Sequence, residues 1–249
     1  MLGLLATAAL ATATATPAWH PDTTAAEAFA ATRRGTTSFA VRTECGEWGR
    51  RQDAHVPSAS VLKAMLLVAE LRRADVRDRA LTTQEKALLS PMIRRSDNDA
   101  ATRVLGLVGG ARLTRDARIW GMRAFQLRSP WGLSQITARD QTRFWLHLDA
   151  RLPPRHRAYG LTLLRTIVPP QRWGVGRVAP RGWTLHFKGG WGSGTGAVDH
   201  QVALLTRGTQ RVALAIMTTS QGTHLYGQAS LEGIARRLLS GLAATQRVC

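Results

Sequence analysis

The sequence predicts an α+β fold, in which an antiparallel sheet flanked by N- and C-terminal helices carries an all-helical lobe. Three observations predict it. Strand-like alternation appears early, over residues 36–42, and returns late, over 183–188, 198–206 and 211–218. Between these runs the pattern is helical, in pieces divided by Gly109-Gly110, Pro130, Pro153-Pro154 and Pro169-Pro170. Helical stretches also precede the first strand and close the chain. Strands from both ends must therefore assemble around a helical insertion, which makes two lobes with a cleft between them. The expected division is a sheet lobe over about 19–57 and 180–249 and a helical lobe over about 58–179, together one catalytic-size unit from 19 to 249.

Each element has its own reason. Residues 22–34 are Ala-rich and helical in pattern, and 36–42 alternate as a strand. A helix is expected over 58–73, because Pro57 and Ser58 are start signals and the body Val61-Leu62-Lys63-Ala64-Met65-Leu66-Leu67-Val68 follows. That body is apolar nearly all round, as in a buried helix. Shorter helical pieces fill 82–107, 137–148 and 156–167, and Lys86 falls in an exposed helix start at Thr82-Thr83-Gln84-Glu85-Lys86. The late strands run antiparallel through a turn at Arg207-Gly208-Thr209-Gln210, and 226–242 forms the closing amphipathic helix. No internal repeat is present.

Composition narrows the function classes. The 249 residues carry a formal net charge of +18, from 34 Lys and Arg against 16 Asp and Glu. Arginines are scattered from Arg33 to Arg247, never more than two in a row, and no recognition helix, zinc spacing or RNP-like strand accompanies them. This argues against nucleic acid as a partner and for a dispersed basic surface that would draw an exported protein toward anionic cell-wall polymers. Residues 2–18 form an uncharged Ala/Leu/Thr run ending in small residues at Ala13, Ala15 and Ala18, which suits a signal peptide over 1–18. The positive n-region of such a leader is missing, so a plain apolar N-terminus remains the alternative. The run is too short and too rich in Thr and Ala to span a bilayer. The expected setting is secreted, and the expected state is a monomer. Cys45 and Cys249 permit one disulfide in that setting, or two free thiols. No His-x-x-x-His pair or cysteine cluster is present, so neither metal nor cofactor is expected.

The basic residues hold the chemical signal. Only three are lysine: Lys63, Lys86 and Lys188. Arginine stays protonated at any usable pH, whereas burial can lower a lysine's pKa until its amine accepts a proton. Ser60-Val61-Leu62-Lys63 places a hydroxyl and an amine three residues apart at a helix start, on one face and within reach of each other. Alone, Ser-x-x-Lys is a common chance pattern. Its apolar flanks here imply a buried amine, which needs a partner or loses its proton.

Ser96-Asp97-Asn98 and Lys188-Gly189-Gly190 follow in order, with Gly182-Trp183 ahead of the second. Together the three elements resemble the penicillin-recognising serine enzymes, in particular the class A β-lactamases, over nearly the whole chain after the leader. The resemblance implies a β-lactamase/transpeptidase-like fold with Ser60 as nucleophile, Lys63 as its base and Ser96 as the proton relay to the leaving nitrogen. Lys188 would offer positive charge to a substrate carboxylate, and Asn98 would bind the acyl side chain. The backbone N–H groups of Ser60 and Trp191 would form the oxyanion hole, with Gly190 and Trp191 among the substrate-binding residues. Asp97 reads as structural. On this assignment Lys63→Arg destroys acylation, whereas Lys188→Arg is mild because only charge is needed there.

Three departures from the class A pattern bear on activity. The glutamate that hydrolyses the acyl-enzyme is absent, since no acid occurs between Asp116 and Asp140, and Asp140 fits a capping box with Thr137. Losing a positioned base costs on the order of 10²–10⁴-fold, so slow deacylation is expected unless His55, His186 or His200 substitutes. The segment from Lys63 to Ser96 is shortened, which implies an open cleft suited to a bulky substrate. Gly189 stands where a hydroxyl residue is usual, a loss for which Ser193 and Thr195 are the candidate replacements, in a glycine-rich stretch that otherwise reads as a turn. Three functions fit: a serine hydrolase acylated by a β-lactam, a D,D-peptidase-like enzyme on peptidoglycan peptides, and a catalytically idle module that binds wall fragments. A Ser-His-Asp hydrolase fits less well, because no Gly-x-Ser-x-Gly elbow occurs.

Overall fold

In a computed structural model, residues 18–192, 194, 197–243 and 247–249 are described. The proposed leader, apart from Ala18, and the candidates Ser193 and Thr195 lie outside them. A single five-stranded antiparallel sheet has the order β2-β1-β7-β6-β5, where β1 is Thr36–Arg42, β2 Glu47–Arg50, β5 Thr184–Gly192, β6 Val198–Arg207 and β7 Gln210–Thr219. The first strand of the chain thus lies beside the last, with Phe39 opposite Ile216. Helix α1 (Thr23–Ala31) packs on the closing helix, Thr223-capped His224–Leu238, and both lie against the sheet. β6 and β7 are buried along nearly their whole length, as strands covered on both faces are.

The remaining helices are α2 (Leu62–Leu71), α3 (Thr83–Arg94), α4 (Asn98–Val108), α5 (Gly110–Ile119), α6 (Ala138–Leu146), α7 (Leu148–Arg151), α8 (Arg157–Arg165) and α9 (Val175–Val178). The closing helix is therefore α10. Every residue of α2 is buried, as its all-round apolarity requires. α6 packs across β1, β6 and β7, so the helical segment supplies the layer beneath the central strands.

Most expected elements occur, with instructive differences. Gly109 and Gly110 separate two helices, but Gly110 begins α5 rather than a loop, because Gly109 at φ +79° makes the turn alone. Strand β2 was too short and too mixed in polarity to read. The two-residue ladder of β3 (Val56–Pro57) with β4 (Gln135–Ile136) joins segments far apart in sequence, so no local pattern announces it. Strand β5 does not stop near Lys188 but continues through Gly189, Gly190 and Trp191 to Gly192, because β6 supplies a partner at each position. The hairpin of β6 and β7 turns at Gly208-Thr209, with Gly208 at φ +57°. Cys45 and Cys249 form a disulfide that ties the β1–β2 turn to the chain's end.

Candidate active site

Five of the side chains singled out by sequence, those of Ser60, Lys63, Ser96, Asn98 and Lys188, meet at one place, where the free edge of β5 runs along residues 58–61 and faces the turn between α3 and α4. Ser60 sits in a 3₁₀ turn, Ala59–Val61, that leads directly into α2 and sets Lys63 one turn further on. Ala59 holds φ +42°, a left-handed conformation that costs an alanine about 1–3 kcal/mol. Strain of this kind persists only where its surroundings enforce it, here through Ser58 N–H donating to Ser134 O at 2.7 Å and the β3–β4 ladder.

Lys63 Nζ lies 2.9 Å from Ser60 Oγ, 2.5 Å from Ser96 O, 3.1 Å from Ser96 Oγ and 2.7 Å from Asn98 Oδ1. The amine has no exposed surface. Burial brings its pKa down to about 7, against a smaller upward pull from Asp97. An amine poised there can exist free of its proton at neutral pH, which a general base requires. Ser96 presents both its carbonyl and its hydroxyl to Lys63 because it too is left-handed, at φ +60°. Asp97 then caps α4 by accepting from Ala100 N–H at 2.8 Å, so its carboxylate serves the helix end. Asn98 is exposed, and since its oxygen faces the Lys63 donor, its NH₂ group is the part left for a ligand.

Lys188 Nζ donates to the same Ser96 hydroxyl at 2.9 Å and to Gly189 O at 2.7 Å. The two amines therefore share one hydroxyl, and their protons are coupled. Lys188 is as deeply buried as Lys63, and its pKa is driven well below that of a free lysine, by burial first and by Lys63 second. This amends the sequence expectation that Lys188 simply displays charge. With 1% of its surface exposed, it stands inside the hydrogen-bonded group, and a mild Lys188→Arg no longer follows.

Gly190 makes the closest approach. A Cβ on it would meet Ser60 N at 2.8 Å and Val61 N at 2.9 Å, so only glycine lets the strand edge lie against the nucleophile's backbone. The missing hydroxyl at Gly189 also has a physical counterpart: the Trp173 indole fills its place, 2.9 Å from where a Cβ would stand.

The candidate replacement bases are otherwise engaged or displaced. His200 is fully buried, with Nε2 2.9 Å from Pro57 O and Nδ1 accepting from Thr218 N–H at 3.1 Å, and burial lowers its pKa to about 4. His186 is buried on β5, and its pKa is also lowered by burial. His55 is exposed and borders a hollow beside Thr37 and Arg51. Asp140 is structural, as expected, but not as a reciprocal capping box: Thr137 Oγ1 accepts Asp140 N–H at 3.2 Å, whereas the Asp140 carboxylate accepts Ala124 N–H at 2.7 Å. Among the described residues, no cluster of His, Cys, Asp and Glu suited to a metal forms, and no helix is long and apolar enough to cross a membrane.

The family model described as "Beta-lactamase enzyme family" matches residues 77–242, two thirds of the chain. The chain belongs to the beta-lactamase enzyme family. The matched segment includes Ser96 and Lys188 and begins after Ser60 and Lys63, so the nucleophile and its amine rest on geometry and motif. No curated protein matches. Among solved structures, a beta-lactamase from Sphaerobacter thermophilus is 21% identical, with 88% of this chain and 95% of that one covered at a TM-score of 0.75. An ancestral class A beta-lactamase is 20% identical, over 86% and 96%, at 0.74. A protein called PBP-A is 19% identical, over 91% and 98%, at 0.72. At such identities the likeness is one of fold.

Three features of this beta-lactamase-family site were not legible in the sequence. Trp131 lies over Lys63, with the ring centre 5.1 Å from Nζ. Trp173 covers Gly189. His224 stacks on Trp191 at 4.4 Å and holds Asp199 Oδ1 at 2.5 Å through Nδ1, while burial raises the Asp199 pKa to about 6. The only local signal for Trp131 was the neighbouring Pro130. Nothing local marked the others, since 25 residues separate Asp199 from His224.

Proposed function

We propose that this protein is an exported serine hydrolase that is acylated at Ser60 by β-lactams or chemically related amides and releases the acyl group slowly. The observation that carries the reading is the 2.9 Å contact of Ser60 Oγ with an amine whose pKa lies at about 7. In the acylation step Lys63 takes the Ser60 proton, Oγ bonds to the substrate carbonyl carbon and the C–N bond breaks. The leaving nitrogen receives a proton from the Ser96 hydroxyl, which is replenished from the Lys63 ammonium 3.1 Å away. The N–H groups of Ser60 and Trp191 receive the developing oxyanion. Lys188 tunes the shared hydroxyl and favours substrates that bring a carboxylate to its side.

Slow release follows from the absence of any acid between Asp116 and Asp140. The same absence favours a second reading, a D,D-peptidase-like enzyme acting on peptidoglycan peptides. Export is supported by the apolar run at residues 2–18 and by the Cys45–Cys249 disulfide, and the net charge of +18 suits retention on anionic wall polymers.

Intact-mass measurement with benzylpenicillin tests the reading. A covalent adduct on the wild type that persists for minutes and is abolished by Ser60→Ala is expected. Rapid turnover without a detectable adduct would point to a true β-lactamase with another base. No adduct and no turnover would leave the idle binding module.

A further inference from the structure

Lys63 Nζ has four acceptors within 3.1 Å and only three protons even when charged, so its polar directions are filled. The Trp131 indole lies beside the same amine, its ring centre 5.1 Å from Nζ. Lys63 has no exposed surface, whereas the indole beside it is partly exposed, so the ring is one of the groups that separate the amine from solvent. The ring is anchored at both ends. Its Nε1–H donates to Thr102 Oγ1 on α4 at 3.1 Å, and its backbone carbonyl accepts from Ser58 Oγ, two residues from the nucleophile, at 3.4 Å. The loop itself is closed by Leu133 N–H on Pro130 O and Ser134 N–H on Trp131 O.

Breaking a Ser60 ester needs a water oxygen to bond to the carbonyl carbon while a base removes its proton. The C–Oγ bond then breaks and Oγ recovers a proton. Lys63 is the base at hand beside Ser60, and a water must reach its nitrogen to use it. Resting on the acylation reading above, we propose that Trp131 is a positioning residue that shields Lys63 from water and thereby sets the lifetime of the acyl-enzyme. The loop that lacks an acid thus carries a cover in its place. The same cover contributes to the burial that keeps Lys63 deprotonatable near neutral pH, so one side chain favours acylation and opposes hydrolysis.

The test is a time course of the benzylpenicillin adduct by intact mass, with acylation rates measured from pH 5.5 to 9, on the wild type, Trp131→Phe, Trp131→Ala and Thr102→Val. Trp131→Ala is expected to shorten the adduct half-life by on the order of tenfold or more and to move the acylation midpoint above that of the wild type. Trp131→Phe keeps a ring over the amine but loses the Nε1–H bond to Thr102, so it shifts both values no further than Thr102→Val does. Thr102→Val releases the indole N–H from an exposed position on α4 and moves both in the direction of alanine by a smaller amount. An unchanged half-life in an acylated Trp131→Ala protein overturns the shield while leaving the acylation reading intact. A wild type that forms no adduct overturns both. If Trp131→Ala fails to fold by circular dichroism, Thr102→Val decides, and an unchanged half-life there overturns the shield.

Discussion

The two sides of Ser60 are built on different principles. On one side, Lys63, Ser96, Asn98 and Lys188 converge from two helices, the turn between α3 and α4 and a strand into a hydrogen-bonded group in which one hydroxyl joins two amines. On the other, residues 117–139 bring no carboxylate, and what reaches Lys63 is the face of an indole. The first side holds groups that can exchange protons, and the second brings none among residues 117–139. On the acylation reading, such a site is expected to form an acyl-enzyme faster than it hydrolyses one.

That contrast can be broken most sharply at Lys63. Lysine burial lowers its pKa to about 7, so acylation is expected to rise with pH through that region and to fall as the amine becomes protonated below it. In Lys63→Arg the charge survives and the base does not, so acylation is expected to fall on the order of 10²–10⁴-fold at every pH, read as the rate of adduct formation. A retained rate would remove Lys63 from the role of base. Next in size is Gly190→Ala. Its Cβ would press on backbone nitrogens at 2.8 and 2.9 Å, displacing the strand edge from Ser60, and a loss of roughly 10–100-fold in acylation is expected with the fold preserved by circular dichroism. An unchanged rate would mean that the strand edge takes no part in stabilising the oxyanion. The smallest effect is expected at Asp140. Asp140→Asn keeps an acceptor for Ala124 N–H and should leave adduct lifetime within about twofold. A large increase in lifetime would reveal Asp140 as the hydrolytic base and give the second side a proton carrier after all.

The fold was legible because its signals are periodic and local. The alternation of 36–42 became β1, the apolar helix became buried α2, and the late strands became β5 to β7, because burial on two faces or one demands those patterns. The chemical group was legible in its motifs: Ser60 and Lys63 share a helix start, and Ser96 and Lys188 stand in short recognisable strings. What escaped were contacts across the chain. The β3–β4 ladder, the Trp173 cover on Gly189 and the His224–Asp199 pair each join residues at least 16 positions apart, and none has a pattern of its own. Lys188 was half legible. Its place in the site followed from the motif, but its burial depended on how the helices close over β5.

By itself the sequence determined the fold class and the family and pointed to Ser60 and Lys63 as the candidate nucleophile and amine, because residue type and short-range spacing suffice for these. Lysine rather than arginine at 63 and 188, and glycine at 190, are choices visible in one dimension. Only the tertiary structure decided how those groups behave. A pKa depends on how much water is excluded and on which charges are near, and a shield exists only where two distant segments meet. The two lysines are thus written in the chain, while their shared hydroxyl, their burial and the indole over one of them come from packing.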